Sequence, residues 1–487
     1  MTLRIFVRSS FIILLLVNLS CNRCNPAASQ LQPGKLQLSS SDTTLVAIFN
    51  WAVKRSLGYV GNDSDAVGPW YEAALPGREA FCIRDVSHQC IGEEIIGLSL
   101  QNRNMFGKFV ENISESKDYC SYWEINRYNK PAPVDYSSDK DFWYNLNANF
   151  DIIDACYKLY QWTGDTAYIS DPSFGRFFHF TLNEYIDRWQ LSPGKIMLRP
   201  ARMNISSGTV RYSFARGIPS YDEAQENIAV SGDLLGMICN GFMKYSLMLS
   251  LQGKNQESMI YKSMAERYSA LIDSLWWDEK ENDFHGFYRS DGKFLKGGAG
   301  QSEFLLWYDV IRDTDRIVKS LKKLSDTQVE VLSYLPALFY RYGYDSLAYD
   351  YLKRIYADKR RDYPEASSGV IEGIVRGLFG IEPEAGKNMI TTCSHLTGVT
   401  SWAGIKNVPL FSGRISVVHQ SDRKTSFSNE SDRKVIWRAV FKGKSKVILV
   451  DGKPLKSSVF RDSAGNYYSH VDVTVPGLSE HNAEKGD

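Results

Sequence analysis

Residues 142–165 read FWYNLNANFDIIDACYKLYQWTGD, and the spacing of their apolar side chains decides the fold class. Phe150, Ile153, Cys156 and Tyr160 recur at intervals of three and four, which places them on one face of an α-helix. The stretch is therefore predicted to form one long amphipathic helix that packs against other helices.

The same periodicity, interrupted by polar or Gly/Pro loops, recurs from Thr43 to Gly380. It predicts twelve helices, at residues 43–59, 87–100, 102–118, 142–163, 174–189, 228–251, 258–276, 301–311, 314–324, 329–343, 345–357 and 367–379. The helices come in sequential pairs, with long loops at every second connection. We therefore predict a mainly α fold in which six helical hairpins close into an (α/α)6 toroid.

Two segments show the alternating pattern of strands instead. In residues 277–295 aromatic side chains alternate with polar ones around an Asp-Gly turn, which predicts a β-hairpin inserted between helices. Short alternating runs separated by turns fill residues 412–475 and predict a small antiparallel β domain. The predicted bodies are a toroid over residues 43–400 and a C-terminal β module over residues 401–487.

The charge and composition exclude some functions. The 57 Lys and Arg nearly cancel the 56 Asp and Glu, which leaves a net charge of +1. A nucleic-acid binder usually carries a basic excess, so no nucleic-acid partner is predicted. The chain also has 11 Trp, 28 Tyr and 24 Phe. Such an aromatic surplus often lines clefts for ligands with flat apolar faces, sugars included, although helical cores also use aromatics.

The N-terminus has the pattern of a targeting sequence. In residues 1–20, MTLRIFVRSSFIILLLVNLS, two arginines precede a short apolar run, as in a secretory signal. Cys21 follows a Leu-Ser pair that is similar to a bacterial lipobox, in which the cysteine is acylated. Residues 21–42 are polar and suit a tether. We expect a lipoprotein of the periplasm or cell surface that contacts the membrane only through this anchor, and a simple secreted protein is the alternative. No later stretch is expected to span a bilayer.

The sequence indicates no metal, nucleotide or other cofactor. Six cysteines beyond the leader are scattered and form no C-x-x-C pair, which disfavours zinc. We expect most of them to be buried packing residues, and the sequence leaves open one or two disulfides. The glycine-rich turn at residues 297–303 lacks the spacing of a phosphate-binding loop.

Several motifs together resemble a known group of enzymes. A helix ends in Trp162-Thr163-Gly164-Asp165, Arg84-Asp85 opens the second helix, and YPEASSGVIEGIVRGLFGIEP at residues 363–383 precedes a β module that contains VDGKPL. In these features the chain resembles the six-hairpin glycosidases, which include glucoamylase, trehalase and bacterial α-L-rhamnosidases. The resemblance covers about residues 43–400 and implies a glycoside hydrolase.

Inverting hydrolysis of a glycoside requires one protonated carboxyl group as acid and a second carboxylate as base. In a toroid these groups are expected in the loops at one mouth of the ring, because alternate connections gather there.

The first such loop ends at Arg84-Asp85, and His88 lies one turn further along the helix. In glucoamylase-like enzymes a matching Arg-Asp pair holds hydroxyls of the terminal sugar. A helix-capping ion pair is the alternative interpretation of Arg84 and Asp85. The predicted substrate-binding residues of this loop are Trp70, Glu72, Arg78, Arg84, Asp85 and His88.

The loop between the fifth and sixth helices is about forty residues long, and loops of that length in compact domains are usually functional. The resemblance implies that it supplies the general acid, which is Glu223 or Asp222 here. An acidic first helical turn is the alternative for these residues. Arg216 and Tyr221 are predicted to bind substrate. The four arginines of the loop also allow a uronic acid such as glucuronate as the substrate.

The loop between the eleventh and twelfth helices contains Pro364 and Glu365. The proline holds the backbone rigidly just before Glu365, and the resemblance implies that the catalytic base lies there. An ordinary N-terminal capping carboxylate is the alternative. Glu372 lies about two turns deeper and is expected to pair with an arginine.

These observations predict an exo-acting, inverting glycoside hydrolase that acts on an oligo- or polysaccharide. Two alternatives remain at this stage. One is a polysaccharide lyase, in which Tyr221 or His88 would remove the proton next to a uronate carboxylate. The other is a non-catalytic glycan-binding lipoprotein, which would tolerate the loss of Glu223 and Glu365.

The lipobox generates the first testable prediction. Because acylation of Cys21 would add a hydrophobic anchor, the wild-type protein should partition into the detergent phase of a Triton X-114 extraction. The Cys21→Ser variant should partition into the aqueous phase. Equal partitioning of the two forms would contradict acylation at this residue.

Overall fold

The computed structural model describes residues 35–200, 216–222, 227–296, 301–324 and 333–486. Within these ranges the chain forms twelve α-helices of seven or more residues. They are α1 (Thr43–Leu57), α2 (Ile83–Ile95), α3 (Ser99–Glu111), α4 (Ala148–Thr163), α5 (Pro172–Phe180), α6 (Gly232–Leu251), α7 (Asn255–Leu271), α8 (Gln301–Trp307), α9 (Thr314–Leu324), α10 (Leu335–Arg341), α11 (Asp345–Ala357) and α12 (Pro364–Glu372).

The described strands are short and are numbered in chain order. They are β1 (Gln37–Ser40), β2 (Ala80–Cys82), β3 (Glu124–Asn126), β4 (Tyr136–Ser138), β5 (Asp141–Phe142), β6 (Tyr144–Asn145), β7 (Arg216–Ile218), β8 (Ile228–Ser231), β9 (Trp277–Asp278), β10 (Asp283–Arg289), β11 (Phe294–Lys296), β12 (Glu382–Glu384), β13 (Met389–Cys393), β14 (Trp402–Leu410), β15 (Gly413–Gln420), β16 (Lys424–Asn429), β17 (Val435–Lys442), β18 (Val447–Val450), β19 (Lys453–Lys456), β20 (Ser458–Arg461), β21 (Tyr467–Val475) and β22 (Ser479–Lys485).

The even-numbered helices form a closed inner ring. α2 packs against α4, α4 against α6 and α6 against α8. α8 packs against α10, which in turn contacts residues 373–378 at the end of α12, and α12 returns to α2. Odd-numbered helices lie outside, with α1 against α12, α7 against α6 and α11 against α10. This arrangement confirms the predicted (α/α)6 toroid.

The ring closes at a very short approach between α2 and α12. A Cβ atom added to Gly92 of α2 would lie only 2.3 Å from the backbone oxygen of Ser368 in α12. The adjacent Glu93 carboxylate accepts a hydrogen bond from the Ser368 hydroxyl, and Ser56 of α1 donates to Ser367 at 3.0 Å. Glycine at position 92 therefore lets the first and the last inner helix, α2 and α12, meet.

Helix α6 (Gly232–Leu251) is by length and composition apolar enough to cross a membrane, with a mean hydropathy of 1.3. We did not expect such a stretch from the sequence. Of its most apolar window, 67% is buried inside the protein. The helix is buried because it contacts the inner helices α4 and α8 and the outer helix α7, and it is therefore a core helix of the ring.

The C-terminal strands form two sheets that pack on each other. One sheet has the order β1-β14-β15-β16-β22-β18-β19, and the other has the order β12-β13-β17-β21-β20. Neighbouring strands are antiparallel except for β13 and β17, which pair in parallel. Phe427 of the first sheet stacks on Trp437 of the second at 5.2 Å between ring centroids. The helical and β parts are joined by the Trp162 indole, which donates a hydrogen bond of 2.8 Å to the carbonyl of Pro409.

Some element boundaries differ from the predicted ones for local reasons. The helix predicted to begin at residue 142 begins at Ala148, because Tyr144–Asn145 pairs as a strand with Arg216–Ile218. Residues 228–231 are likewise a strand that pairs with β10, so α6 begins at Gly232. The predicted β-hairpin at residues 277–295 is confirmed as strands β9, β10 and β11.

The described cysteines form no disulfide. All six of them, Cys82, Cys90, Cys120, Cys156, Cys239 and Cys393, are buried with free thiols. This result agrees with the expectation that most of them are packing residues.

The close approach at Gly92 generates a stability prediction. Gly92→Ala should lower the free energy of unfolding by about 1–3 kcal/mol, because the new methyl group overlaps backbone atoms, which cannot rotate away as a side chain can. Gly107→Ala in α3 is the matched control, since a Cβ atom there meets nothing within 4 Å. The control should match or exceed the wild type, because alanine favours helix more than glycine by about 1 kcal/mol. Thermal unfolding of both variants checks this, and an unchanged midpoint for Gly92→Ala would contradict it.

Candidate active site

A ring of carboxyl groups surrounds the mouth that the N-terminal ends of the inner helices form. Five of the six inner helices carry one acidic residue in their first turn. They are Asp85 in α2, Asp151 in α4, Asp233 in α6, Glu303 in α8 and Glu365 in α12. The positive end of each helix dipole favours negative charge at these positions. Ring closure therefore gathers acidic groups that are far apart in sequence.

Glu365, His88 and Asp151 are in contact in this mouth. The Nδ1 atom of His88 lies 2.8 Å from Oε1 of Glu365, and its Nε2 atom lies 3.6 Å from Oδ1 of Asp151. Burial opposes the charged form of His88, but its interactions with the Asp151 and Glu365 carboxylates outweigh burial and raise the pKa of His88 to about 9. A charged imidazole therefore links carboxylates from two other helices at neutral pH.

Two tyrosines extend this cluster across the mouth. The Tyr221 hydroxyl donates to Asp151 and lies 2.9 Å from the hydroxyl of Tyr308. The backbone N–H of Tyr221 donates to Asp233 at 2.6 Å. Burial raises the pKa of Tyr221 well above its ordinary value, so its hydroxyl keeps its proton. The segment that carries Tyr221 is thus anchored in the mouth from both its side chain and its backbone.

Asp85 lies at the same mouth, next to Glu365. It accepts a hydrogen bond of 3.0 Å from the Tyr363 hydroxyl, and Nε of Arg84 lies 3.6 Å from its other oxygen. Burial, followed by the negative charge of Glu365, raises the pKa of Asp85 to about 6. The Arg84 guanidinium lies 5.7 Å from the ring centre of Tyr221. Arg84 and Asp85 therefore present a cation and an acidic group to the same space.

Flat aromatic side chains line part of this region. Trp307 and Tyr334 stack with ring centres 3.8 Å apart, and the His88 ring lies 5.1 Å from Trp307. Phe304 lies 4.6 Å from Tyr221. Aromatic faces beside hydrogen-bonding carboxylates suit a ligand with an apolar face and many hydroxyl groups, which is the chemistry of a sugar ring.

The structure brings together five of the residues predicted for the site. They are Arg84, Asp85, His88, Tyr221 and Glu365. Asp222 follows directly after Tyr221, and its backbone N–H donates to the Ser220 hydroxyl at 3.0 Å. Glu223 lies outside the described residues.

Two residues of the first loop make other contacts. The Trp70 indole is buried and donates to Asp65 at 2.7 Å. The Glu72 carboxylate accepts from the backbone N–H of Glu79 at 3.1 Å. These contacts lie within the loop itself, so the structure does not join Trp70 or Glu72 to the Glu365–His88–Asp151 cluster.

Two of the arginines predicted for the site also make their contacts away from the Glu365–His88–Asp151 cluster. Arg78 forms an ion pair of 3.1 Å with Glu124, and Arg216 forms one of 2.7 Å with Asp118. Arg199, from the same loop as Arg216, donates to backbone carbonyl groups. These side chains hold loops in place, and Arg84 alone of the predicted arginines contacts the cluster.

Sequence reasoning missed several residues of the cluster. Asp151 occupies the same first-turn position as Asp85 and Glu365, so the repeated start of the inner helices was the available signal. Tyr308, Trp307 and Tyr334 carried no such signal, because a single aromatic residue in a helical sequence is usually core. The prediction that Glu372 pairs with an arginine is confirmed, since it forms an ion pair with Arg376. The part of the chain that the structure describes contains no group of three or more acidic, His or Cys side chains that could hold a metal ion.

Comparison with known proteins shows the fold. No protein family model and no curated protein matches the chain. An α-L-rhamnosidase from Dictyoglumus thermophilum matches with a TM-score of 0.59 and 12% identity, over 92% of this chain and 50% of that one. The Streptomyces avermitilis α-L-rhamnosidase complexed with L-rhamnose matches at 0.57 and 11%, over 92% and 42% of the two chains. The fold is that of the six-hairpin glycosidases.

A GH78 family rhamnosidase from a Bacillus species is similar to the same degree, with a TM-score of 0.57 and 12% identity over 80% of this chain. The chain spans 40 to 50% of the length of these three rhamnosidases. At such identities the similarity shows the arrangement of the helical ring and leaves the activity to be inferred from the site.

The raised pKa of His88 generates a prediction about stability. A histidine whose pKa rises on folding stabilises the protein fully below its unfolded pKa of about 6.5, and this contribution is lost as the pH rises through about 9. The difference in unfolding free energy between the wild type and His88→Gln should therefore shrink by on the order of 3 kcal/mol from pH 6 to pH 10. Other groups that titrate in this window are present in both proteins and largely cancel in the difference. Urea unfolding at several pH values measures it, and a difference that does not change with pH would contradict the charged state of His88.

Proposed function

We propose that this protein is an exo-acting glycoside hydrolase that removes a terminal sugar from a glycan with inversion of configuration. The observation that carries the proposal is the Glu365 carboxylate, held at 2.8 Å by His88 in a mouth lined with further carboxyl groups and aromatic rings. The six-hairpin fold of the similar rhamnosidases supports the same class of activity.

Glu365 is the proposed catalytic base. Its side chain is 15% exposed, so water can reach it, whereas Asp85 and Asp151 are 3% and 1% exposed. Pro364 precedes it at the start of α12, and His88 holds one carboxylate oxygen, so the group has a defined orientation. A base that activates water needs both access to solvent and a fixed direction.

The proposed acid is Glu223 or Asp222. The anchoring of Tyr221 by Asp151, Tyr308 and Asp233 supports this assignment, because it holds the residue directly before Asp222 at the mouth. The acid would then come from the loop before α6 and the base from the start of α12. In an inverting enzyme the two carboxyl groups are about 6.5–9.5 Å apart, which leaves room for the attacking water.

Arg84 and Asp85 are proposed to bind the terminal sugar. The raised pKa of Asp85, about 6, allows this group to donate or to accept a hydrogen bond near neutral pH. Arg84 is 23% exposed and offers a planar guanidinium at the same mouth. We therefore include uronic acids such as glucuronate in the proposed substrate class, alongside neutral terminal sugars such as rhamnose. Secretion and lipid anchoring through Cys21 would place this activity outside the cytoplasm.

The protonation states of Tyr221 and His88 disfavour the lyase alternative. A lyase needs an unprotonated base next to the uronate. Burial and neighbouring groups raise the pKa of Tyr221 well above its ordinary value, and the pKa of His88 is about 9, so both groups hold their protons at neutral pH. The hydrolase is therefore the better interpretation of the same residues.

The stereochemistry and the base generate one combined prediction. A screen of nitrophenyl glycosides that includes rhamnosides and glucuronides provides the substrate. Proton NMR of the first product should show the inverted anomer, because a water molecule between sugar and base attacks from the face opposite the leaving group. Glu365→Gln should lower kcat by about a thousandfold or more on every substrate.

The matched control is Glu372→Gln, which removes a carboxylate from the same helix, where it pairs with Arg376 away from the mouth. This variant should keep kcat within a few fold of the wild type. A retained anomer, an unsaturated product or a fully active Glu365→Gln variant would each show that the assignment of the base is wrong.

A further inference from the structure

A small cavity lies among the C-terminal strands, next to the end of α4. Its volume is about 60 Å³, and its lining combines apolar side chains such as Ile390 and Val435 with Arg414 and Arg433. The turn between β14 and β15 forms part of this lining. In that turn the backbone N–H of Phe411 donates to the carbonyl of Trp162, near the end of α4, at 3.2 Å.

The two arginines are the unusual feature of this cavity. Neither guanidinium forms an ion pair or a side-chain hydrogen bond with any residue that the structure describes. Elsewhere in the same sheets Arg438 binds both carboxylate oxygens of Asp472, at 2.7 and 2.8 Å. No acidic side chain lines the described cavity. The two positive charges repel each other across this partly apolar cavity. The N–H groups of both guanidinium groups remain available to an acceptor from outside the chain.

The backbone that carries these arginines is held in place by the fold. Asn429 is buried, and its amide donates to the carbonyl of Arg433 at 2.6 Å and to that of Pro476 at 3.0 Å. Arg414 pairs with Pro409 in the β14–β15 hairpin. Because this backbone is fixed, the point from which each arginine side chain extends is also fixed, and this lowers the conformational freedom that is lost when the guanidinium groups bind a ligand.

We propose that this cavity binds an oxyanion, namely a carboxylate or sulfate group carried by an acidic glycan. Arginine matches both groups, because its planar fork donates two parallel hydrogen bonds to a pair of oxygens. The cavity has room for a few water-sized groups. It is far smaller than the roughly 300–1,000 Å³ of pockets that enclose whole small molecules. The site therefore accommodates an anionic substituent while the sugar ring stays outside.

This site is separate from the proposed catalytic mouth. The mouth lies at the start of α4 near Asp151, whereas the cavity lies beyond its last residues, near Trp162. A helix of 16 residues is about 24 Å long. A group bound in the cavity would thus belong to a different part of the glycan than the sugar at the mouth. The choice of an acidic glycan as the carrier rests on the proposed function, whereas the oxyanion site itself does not.

Isothermal titration calorimetry at low ionic strength tests the proposal. The probes are sodium sulfate, sodium glucuronate, a chondroitin sulfate tetrasaccharide and the neutral cellotetraose. The tetrasaccharide should bind the wild-type protein, and the double variant Arg414→Gln/Arg433→Gln should bind it at least tenfold more weakly.

The matched control removes the same two charges elsewhere on the strands. Lys453→Gln/Lys456→Gln changes two exposed residues of β19 and should bind like the wild type. Thermal unfolding should show that both double variants remain folded. Tight binding of sulfate alone, lost in the arginine variant, would support the oxyanion site with a free anion as its ligand. Equal weakening by both double variants, unchanged binding by the arginine variant or no binding of any anionic probe would overturn the proposal.

Discussion

The contact between α2 and α12 is the constraint on which the rest of the structure depends. These helices are separated by more than 260 residues of chain, and they meet only because Gly92 has no side chain where the backbone of Ser368 passes. Closing the ring at this point places His88, one turn before Gly92, beside Glu365, one turn before Ser368. The 2.8 Å contact between them is therefore a consequence of helix packing.

Closing the ring also creates an electrostatic problem, because it collects carboxyl groups from five inner helices at one mouth. Helix dipoles favour negative charge at these positions, but only to a limited extent. The repulsion that remains between the carboxyl groups changes the pKa values of the residues in the mouth. The pKa of Asp85 rises to about 6 through burial and the charge of Glu365, and the pKa of His88 rises to about 9 because two carboxylates lie beside its ring. Groups with different pKa values in one mouth are what general acid–base chemistry requires.

The C-terminal strands contribute to the structure in a different way. Trp162 and His419 connect them to the ends of inner helices, through hydrogen bonds to the carbonyl groups of Pro409 and Phe379. Strand β1, which precedes the first helix, pairs with β14 of the same sheet. The sheets therefore cover the end of the ring that lies away from the mouth. Arg414 and Arg433 line the cavity near that junction, and their guanidinium groups form no ion pair with the described part of the chain.

The sequence by itself determined the helical ring, the inserted hairpin, the β-rich end and the placement of Glu365, Asp85 and His88 at one mouth of the ring. It could do so because apolar periodicity and first-turn acidic residues are local properties that each helix carries alone. Tertiary structure alone decided that Asp151, Tyr308 and Trp307 join the same mouth, and that Arg216 binds Asp118. Those outcomes depend on which helices become neighbours and which loop side chains find a partner across the ring, and no local pattern records contacts between residues so far apart in the chain.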